Sequence, residues 1–502
     1  MSYILAFFPI FLILVLMLRF RWGGHRAGLA GWLTGVLIAI LFFGLTFQVW
    51  WVSQLKGLLL SFYVLLVLWP ALFLFHIVNQ AGGIQAIALW LEVSIRDRGL
   101  LLVLIAWAFS GFLEGMAGFG IPVAIVAPML VGIGVSPATA VAAVAVGHSW
   151  AVSLGNMGLV FQTLTGVAQM ESSLLAAPAG FILGIACLLC GLAASIILGQ
   201  RHIWLKVILI AALMAAVQYG MAVSGLIPLA AMIAGLAGLL AGLWFNRSTS
   251  APVAEAEGFS PLKGALSSYG GLVFITILIA LPGPLHTALS KIAWVPLFPQ
   301  VETLQGFLTP AGTGTVFRFF LHPGAPISAA AFFSYRLFRS FNLLPTGSWR
   351  QVTHRTTASA GYASLGVIAT VGLSMLMEHC GMTLLLAQGL SEVMQMTYPL
   401  VSPLVGMLGA FATGSNNNSN VLFASLQKNA AILLGLDPRW LLAAQTAGGS
   451  LGSMVAPAKI IVGCSTVGLK GRDGEVLRIT LLYGLVIGVL IGIAVLAFTW
   501  FS

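Results

Sequence analysis

Apolar stretches long enough to cross a membrane recur along this sequence from its first residues to its last, and they constrain the fold more than any other feature. A hydrocarbon layer of roughly 30 Å takes about 20 apolar residues wound as a helix. We read twelve such spans, at 3–20, 28–46, 57–79, 138–160, 174–199, 207–224, 226–245, 268–282, 311–335, 357–377, 440–466 and 479–500. In lipid each peptide group must find its partner inside the chain, which leaves only helices or closed barrels. Runs of this length dictate helices. Charged residues make up 7% of the chain, against roughly 25% in soluble proteins, so no water-soluble surface is available. The first span lacks both a charged leader and a small-residue cleavage site, which predicts a retained helix instead of a signal peptide.

A formal net charge of +10 does not mark a nucleic-acid partner, because the basic residues cluster between apolar spans. The clusters are Arg19, Arg21, Arg26; Arg96, Arg98; Arg201, Lys206; Arg336, Arg339, Arg350, Arg355; and Lys470, Arg472, Arg478. Basic loops stay on the cytoplasmic side. Placing the clusters there predicts both termini on the periplasmic face. Of the four cysteines (Cys187, Cys190, Cys380, Cys464), the first two form a CxxC, but inside a span they read as small packing residues before redox or metal ligands.

Two apolar stretches, 101–134 and 400–434, are too long for one crossing and are interrupted by Gly, Pro or Asn. They are expected to be re-entrant hairpins, the first entering from the cytoplasm and the second from the opposite side. The segment 283–310 fits no span and is expected to form a loop. A linker at 246–266, with the polar run NRSTSAPVAEAEGFSPLK at 246–263, divides the chain into halves 1–245 and 267–502.

Those halves resemble each other at an offset of about 300 residues. IGVSPATAVAAVAVGHS (133–149) lies over LGLDPRWLLAAQTAGGS (434–450), matching Gly134 with Gly435, Pro137 with Pro438, Gly147 with Gly448 and Ser149 with Ser450. Seven crossings separate the copies, an odd number, so they thread the membrane in opposite senses. Each half then carries a hairpin (101–134, 400–434) and a broken helix (138–160, 440–466). The expected fold is all-α and polytopic, with about 12 transmembrane helices and two re-entrant hairpins in an inverted-repeat, ion-transporter-like architecture. Folds of this kind hold substrate at the midplane, where the repeats meet.

Three stretches could carry the chemistry. FLEGMAGFGIP (112–122) sets Gly115, Gly118, Phe119, Gly120 and Pro122 at bilayer depth. Broken backbone is tolerated there when it lines a cavity, and the N–H groups of the half-helix beginning near Gly120 suit an anion. A kinked helix packed through small residues would read the same way, but Glu114 argues for function, since an intramembrane carboxylate marks an ion or proton path. FATGSNNNSN (411–420) occupies the matching place. As a hairpin tip, Gly414, Ser415, Asn416, Asn417, Asn418, Ser419 and Asn420 would offer neutral hydrogen-bonding groups to a carboxylate and a neighbouring hydroxyl; as an external loop they need no such role. GGSLGSMVAPAKI (448–460) pairs with GHSWAVSLGNM (147–157), placing Ser453 and Lys459 on one broken helix and His148 and Ser149 on the other. Lys459 either meets an anion or snorkels to the interface. His148 either carries a proton or packs as a bonded core residue. His76, Glu378, His379, Arg318 and Lys428 are weaker candidates near span ends. HExxH, P-loop and Rossmann patterns are missing, so an enzyme is disfavoured and any pumping must draw on an ion gradient. No cofactor or metal is called for.

At these motifs the chain resembles the L-lactate permease family, which includes glycolate permeases. FLEGMAGFGIPVAI (112–125), GSNNNSNVLFASLQ (414–427) and the elements MVAPAKI, VGLKGRD and LR within 454–478 carry the likeness. The resemblance implies proton-coupled uptake of a short 2-hydroxy monocarboxylate across the bacterial inner membrane, by a domain able to slide like an elevator. It departs from the family at Asn416, where the family has Asp; at Ser453, where it has Lys; at Lys459, where it has Ser; and at His148-Ser149, where it has Asn-Thr. Combining the two lines, Glu114 or His148 would handle the proton, the two tips would hold the substrate, and Lys459 would supply counter-charge. A different organic anion, sodium coupling and a homodimer stay open, as do a channel or a membrane-embedded enzyme.

Overall fold

The computed structural model describes residues 2–20, 22–118, 120–246, 260–280, 283–469 and 472–501. Among them, twelve helices are long and apolar enough to cross a membrane: Gly24–Phe42, Phe47–Gln80, Arg98–Met116, Pro137–Ala168, Ser172–Ile197, Arg201–Val223, Ile227–Phe245, Pro261–Ala280, Ser348–His379, Met382–Thr413, Pro438–Thr466 and Asp473–Trp500. The number agrees with the sequence expectation, although the membership differs. The N-terminal helix Ser2–Leu18 is a residue short of that class.

The expected span 311–335 is not one helix. Gly312–Thr313 pair as a β-strand with Leu297–Phe298, Val301–Glu302 pair with Leu308–Thr309, and a helix begins only at Gly324 and runs to Ser340. Pro310, Gly312 and Gly314 with β-branched Thr313, Thr315 and Val316 disfavour helix there; Pro323 then stands at the helix start, where its missing N–H costs nothing. The segment expected to be a loop, 283–310, also holds the short helix Pro284–Ser290.

The long helices pack through glycine. A Cβ on Gly147 would lie 2.0 Å from the Ala106 carbonyl oxygen, and one on Gly448 would lie 1.8 Å from that of Pro403. Only a hydrogen fits at either crossing. Close approach through small residues is how helices gain contact when lipid supplies no hydrophobic drive.

Four interruptions shape the centre. The helix ending at Met116 gives way to Gly118 (φ 51°) and Gly120 (φ 82°), both left-handed, and a new helix runs Ile121–Gly132. The helix Tyr398–Thr413 ends on Gly414 (φ 72°), and Asn416–Leu433 follows. Between Pro137 and Ala168 the α-helix stops at His148 and restarts at Leu159, with Asn156 (φ 50°), Met157 (φ 52°) and Gly158 (φ 79°) consecutively left-handed. Between Pro438 and Thr466 it breaks at Ala456, before Pro457.

Candidate functional site

A cavity of about 470 Å³ lies where these interruptions meet, lined by Gly120, Gly414, Ser415, Asn416, Asn417, Asn418 and Lys459 together with Asn156. The opposite wall comes from Gly23, Gly24 and His25 and from Tyr362, Ala363, Gly366 and Val367, with Leu68 beside them. Contact between the parts is direct: a Cβ on Gly120 would sit 3.5 Å from Lys459 Cγ, and one on Gly414 would sit 3.8 Å from Ala458 Cβ. The helices Gly24–Phe42, Ile121–Gly132, Leu159–Ala168, Asn416–Leu433 and Pro457–Thr466 all begin at this wall. None of these starts is capped by a side chain, and a helix start carries unpaired N–H groups and the positive end of the dipole, an environment suited to an anion.

Among the described residues, Lys459 is the one ammonium on the lining. It is buried and interacts electrostatically with Glu114, yet no ion pair closes between them. Glu114 itself is fully buried behind the wall; its Oε1 accepts from Asn156 Nδ2 at 3.3 Å and its Oε2 has no partner. His148 is also fully buried, with Nδ1 2.8 Å from the Val144 carbonyl, and it too lies within the field of Lys459.

The Asn-rich tip is held by hydrogen bonds to Thr446 in its own half of the chain and to Ser153, Val160 and Thr163 in the other. Asn416 Nδ2 donates to Ser153 Oγ at 2.9 Å and to the Thr446 carbonyl at 3.2 Å. Thr163 Oγ1 donates to Asn417 Oδ1 at 2.6 Å, and Asn420 Nδ2 donates to Thr446 Oγ1 at 3.0 Å and to the Val160 carbonyl at 3.3 Å. These bonds leave Asn416 Oδ1 and Asn417 Nδ2 buried without partners, the former against Gly449, where a Cβ would stand 1.9 Å away.

Other residues singled out in the sequence stand behind the cavity. Gly115 packs on the Met232 backbone and Gly118 under the Asn156 side chain. Ser419 donates to the Gly406 carbonyl; Ser149 donates to that of Ala145; Ser453 is buried with no partner. Phe119 lies outside the described residues. The sequence reading missed Asn156, His25 and Tyr362. Asn156 had a signal, an amide between Gly155 and Gly158 inside an apolar span. The ring contact of His25 with Tyr362, 4.9 Å between centroids, is tertiary and leaves no local trace.

The sequence model described as L-lactate permease matches residues 2–501. The chain belongs to the L-lactate permease family. This permease is 27% identical to the L-lactate permease of Bacillus subtilis (strain 168), over 93% of its own length and 90% of that protein's. It is 26% identical to the glycolate permease GlcA of Escherichia coli (strain K12), over 99% and 95%, and 27% identical to the L-lactate permease of Halalkalibacterium halodurans, over 96% and 94%. The permease is therefore a multi-pass membrane transporter and not an enzyme.

Proposed function

We propose that the permease takes up a short 2-hydroxy monocarboxylate of the lactate or glycolate type by proton symport across the bacterial inner membrane, with both termini periplasmic. One observation carries the reading: the Lys459 ammonium, without a closed ion pair, stands in a cavity ringed by helix N-termini and amides. The substrate carboxylate takes Lys459 and the N–H groups of the Gly120 and Ser415 tips. Its hydroxyl takes the side-chain amide of Asn418, which lines the cavity. Glu114, sharing the field of Lys459, is the proton carrier: once the substrate anion neutralises Lys459, the buried carboxylate loses its counter-charge and takes up a proton. Anion and proton then cross together. His148 holds its place through Val144 and is the lesser candidate for this role.

The inverted repeat supports a midplane position for the site. Gly147 and Gly448, matched by the offset in sequence, do the same work at equivalent helix crossings, and Ser450 donates its hydroxyl to the carbonyl of its own counterpart, Ser149. In the inverted-repeat reading that bond lies beside the pseudo-twofold axis. In this reading the hairpin-bearing elements carry the substrate against the wall built by 23–25 and 362–367.

Reconstitution in proteoliposomes tests it. Radiolabelled lactate or glycolate should accumulate saturably under an inward proton gradient and not under an inward sodium gradient. No saturable signal for any short hydroxy acid would overturn the substrate class. Accumulation driven by sodium alone would overturn the coupling ion.

A further inference from the structure

Asn156 stands where the buried carboxylate and the cavity meet. It lines the cavity, and its side chain is buried to within 6% of full enclosure. Its backbone opens the left-handed run with Met157 and Gly158, a conformation that residues with side chains keep only where the surroundings impose it. Those surroundings are two glycines. A Cβ on Gly118 would overlap the Asn156 amide at 1.7 Å from Oδ1, and one on Gly155 would lie 2.8 Å from the Glu114 carbonyl oxygen. The amide is thus pressed between the hairpin tip and Glu114.

Its Nδ2 donates to Glu114 Oε1 at 3.3 Å. Two buried atoms of this pair have no partner, Glu114 Oε2 and Asn156 Oδ1. Both are acceptors, so the pair lacks a single hydrogen. We infer that Asn156 is the positioning residue that holds the transported proton on Glu114. A hydronium ion arriving from the gradient side gives its proton to Oε2, its own O–H bond breaking to leave water, and the new O–H donates to Oδ1 while Nδ2 still donates to Oε1. This is the two-bond ring that a carboxylic acid makes with an amide, and it satisfies both orphan atoms at once. On release the O–H bond breaks, the proton returns to water, and Glu114 keeps one N–H.

Among the described residues, Asn156 is the only side chain that hydrogen-bonds Glu114. The charged and titratable groups around the carboxylate are Lys459 on the helix Pro457–Thr466, which faces it, and His148, which faces Lys459. The helix Ala230–Phe245 packs against 112–115 through Met232 and Gly235 and brings no titratable group. Neutralising Lys459 with a substrate anion therefore leaves the amide as the remaining stabiliser of either charge state of Glu114.

The inference rests on the symport reading, and the wild-type protein separates the two. If wild-type proteoliposomes show no proton-driven lactate or glycolate uptake, the symport reading fails first. If they do, two variants decide the role of Asn156. Asn156→Ala removes both amide bonds; accumulation under a proton gradient should fall roughly tenfold, the worth of a hydrogen bond to a charged group, while lactate exchange without a gradient falls much less. Asn156→Asp, nearly isosteric, carries the test even if the alanine variant does not reach the membrane. It replaces the amide with a second carboxyl beside Glu114, and the two must share a proton. The KM for lactate should then rise about tenfold at alkaline pH, where the added carboxylate occupies Lys459, and return toward the wild-type value at acid pH. A KM profile parallel to wild type across that range, or Asn156→Ala with its coupling intact, overturns the inference. A purely structural role would lower the amount of folded protein and move neither the pH profile nor the ratio of accumulation to exchange.

Discussion

Ser450 donates its hydroxyl hydrogen to the backbone carbonyl of Ser149, a residue 301 positions earlier in the chain. Around that bond the broken helices cross their neighbours at hydrogen-atom clearance, at Gly147 over Ala106 and at Gly448 over Pro403. Gly147→Ala and Gly448→Ala should each displace backbone, since neither contact ends on a flexible side chain. Overpacking of this kind costs typically 1–3 kcal/mol and occasionally more. Folded yield by fluorescence-detected size exclusion should drop sharply for both. Gly132→Ala, which meets nothing within 4 Å, should match wild type.

Gly118→Ala should act differently. The atom that a Cβ meets is the end of the Asn156 side chain, which can give way, although the left-handed φ of 51° adds about 1–2 kcal/mol of strain. The expected result is folded protein with a displaced Asn156 amide. Gradient-driven uptake should be lost by an order of magnitude or more, with thermal stability in detergent reduced by only a few degrees. Equal losses in the two measurements would assign Gly118 to packing alone.

Helices were legible because apolar runs in lipid have one outcome; their lengths were not, since the helix over the expected span 57–79 runs Phe47–Gln80. The tips were legible for a related reason: Gly118, Gly120 and Gly414 mark places where a helix cannot continue, and Asn416 to Asn420 are polar where polarity is costly. Span 311–335 misled because its hydropathy resembles that of a crossing, while Pro310, Gly312 and Gly314 favour the β-pairing that forms. Motif position points Ser149, Ser419 and Asn420 toward a substrate, but a motif gives spacing and not side-chain direction. Their polar groups satisfy Ala145, Gly406 and Thr446 instead. His25 and Tyr362 come from helices distant in sequence, and nothing local distinguishes them.

At a helix end outside the spans, Asp97 caps Arg98–Leu104 by accepting from the Leu100 N–H at 3.1 Å and pairs with Lys206 at 2.8 Å. Burial pushes its carboxyl upward, but the Lys206 ammonium and the capping N–H outweigh that and hold it below the usual carboxylate range. A carboxyl depressed in the folded state stabilises above its unfolded value of roughly 3.9, and loses that contribution as pH falls through the folded value. The pair is a third exposed on each side, so about 1 kcal/mol is expected, with a cap worth about 1 more. Thermal melts in detergent should show Asp97→Asn less stable than wild type at pH 6, with the gap closing toward pH 3. A gap independent of pH would remove the charge from this account.

Lys459 and Glu114 should fail in opposite ways, because one meets the anion and the other the proton. Lys459→Met keeps the length of the side chain and removes its charge. The substrate carboxylate then faces only helix dipoles, and loss of a charge-assisted hydrogen bond of roughly 1.5–3 kcal/mol should raise KM by about ten- to a hundredfold. Proton-driven accumulation at saturating substrate should survive in part. Glu114→Gln keeps the bond to Asn156 but cannot titrate, so KM should change little, exchange should persist, and accumulation against a gradient should vanish at every pH. Initial rates and counterflow in the same proteoliposome preparation distinguish the two. If Lys459→Met leaves KM unchanged, the ammonium does not meet the substrate. If Glu114→Gln still concentrates lactate, another group carries the proton, and His148, inside the same field of Lys459, is the next to change.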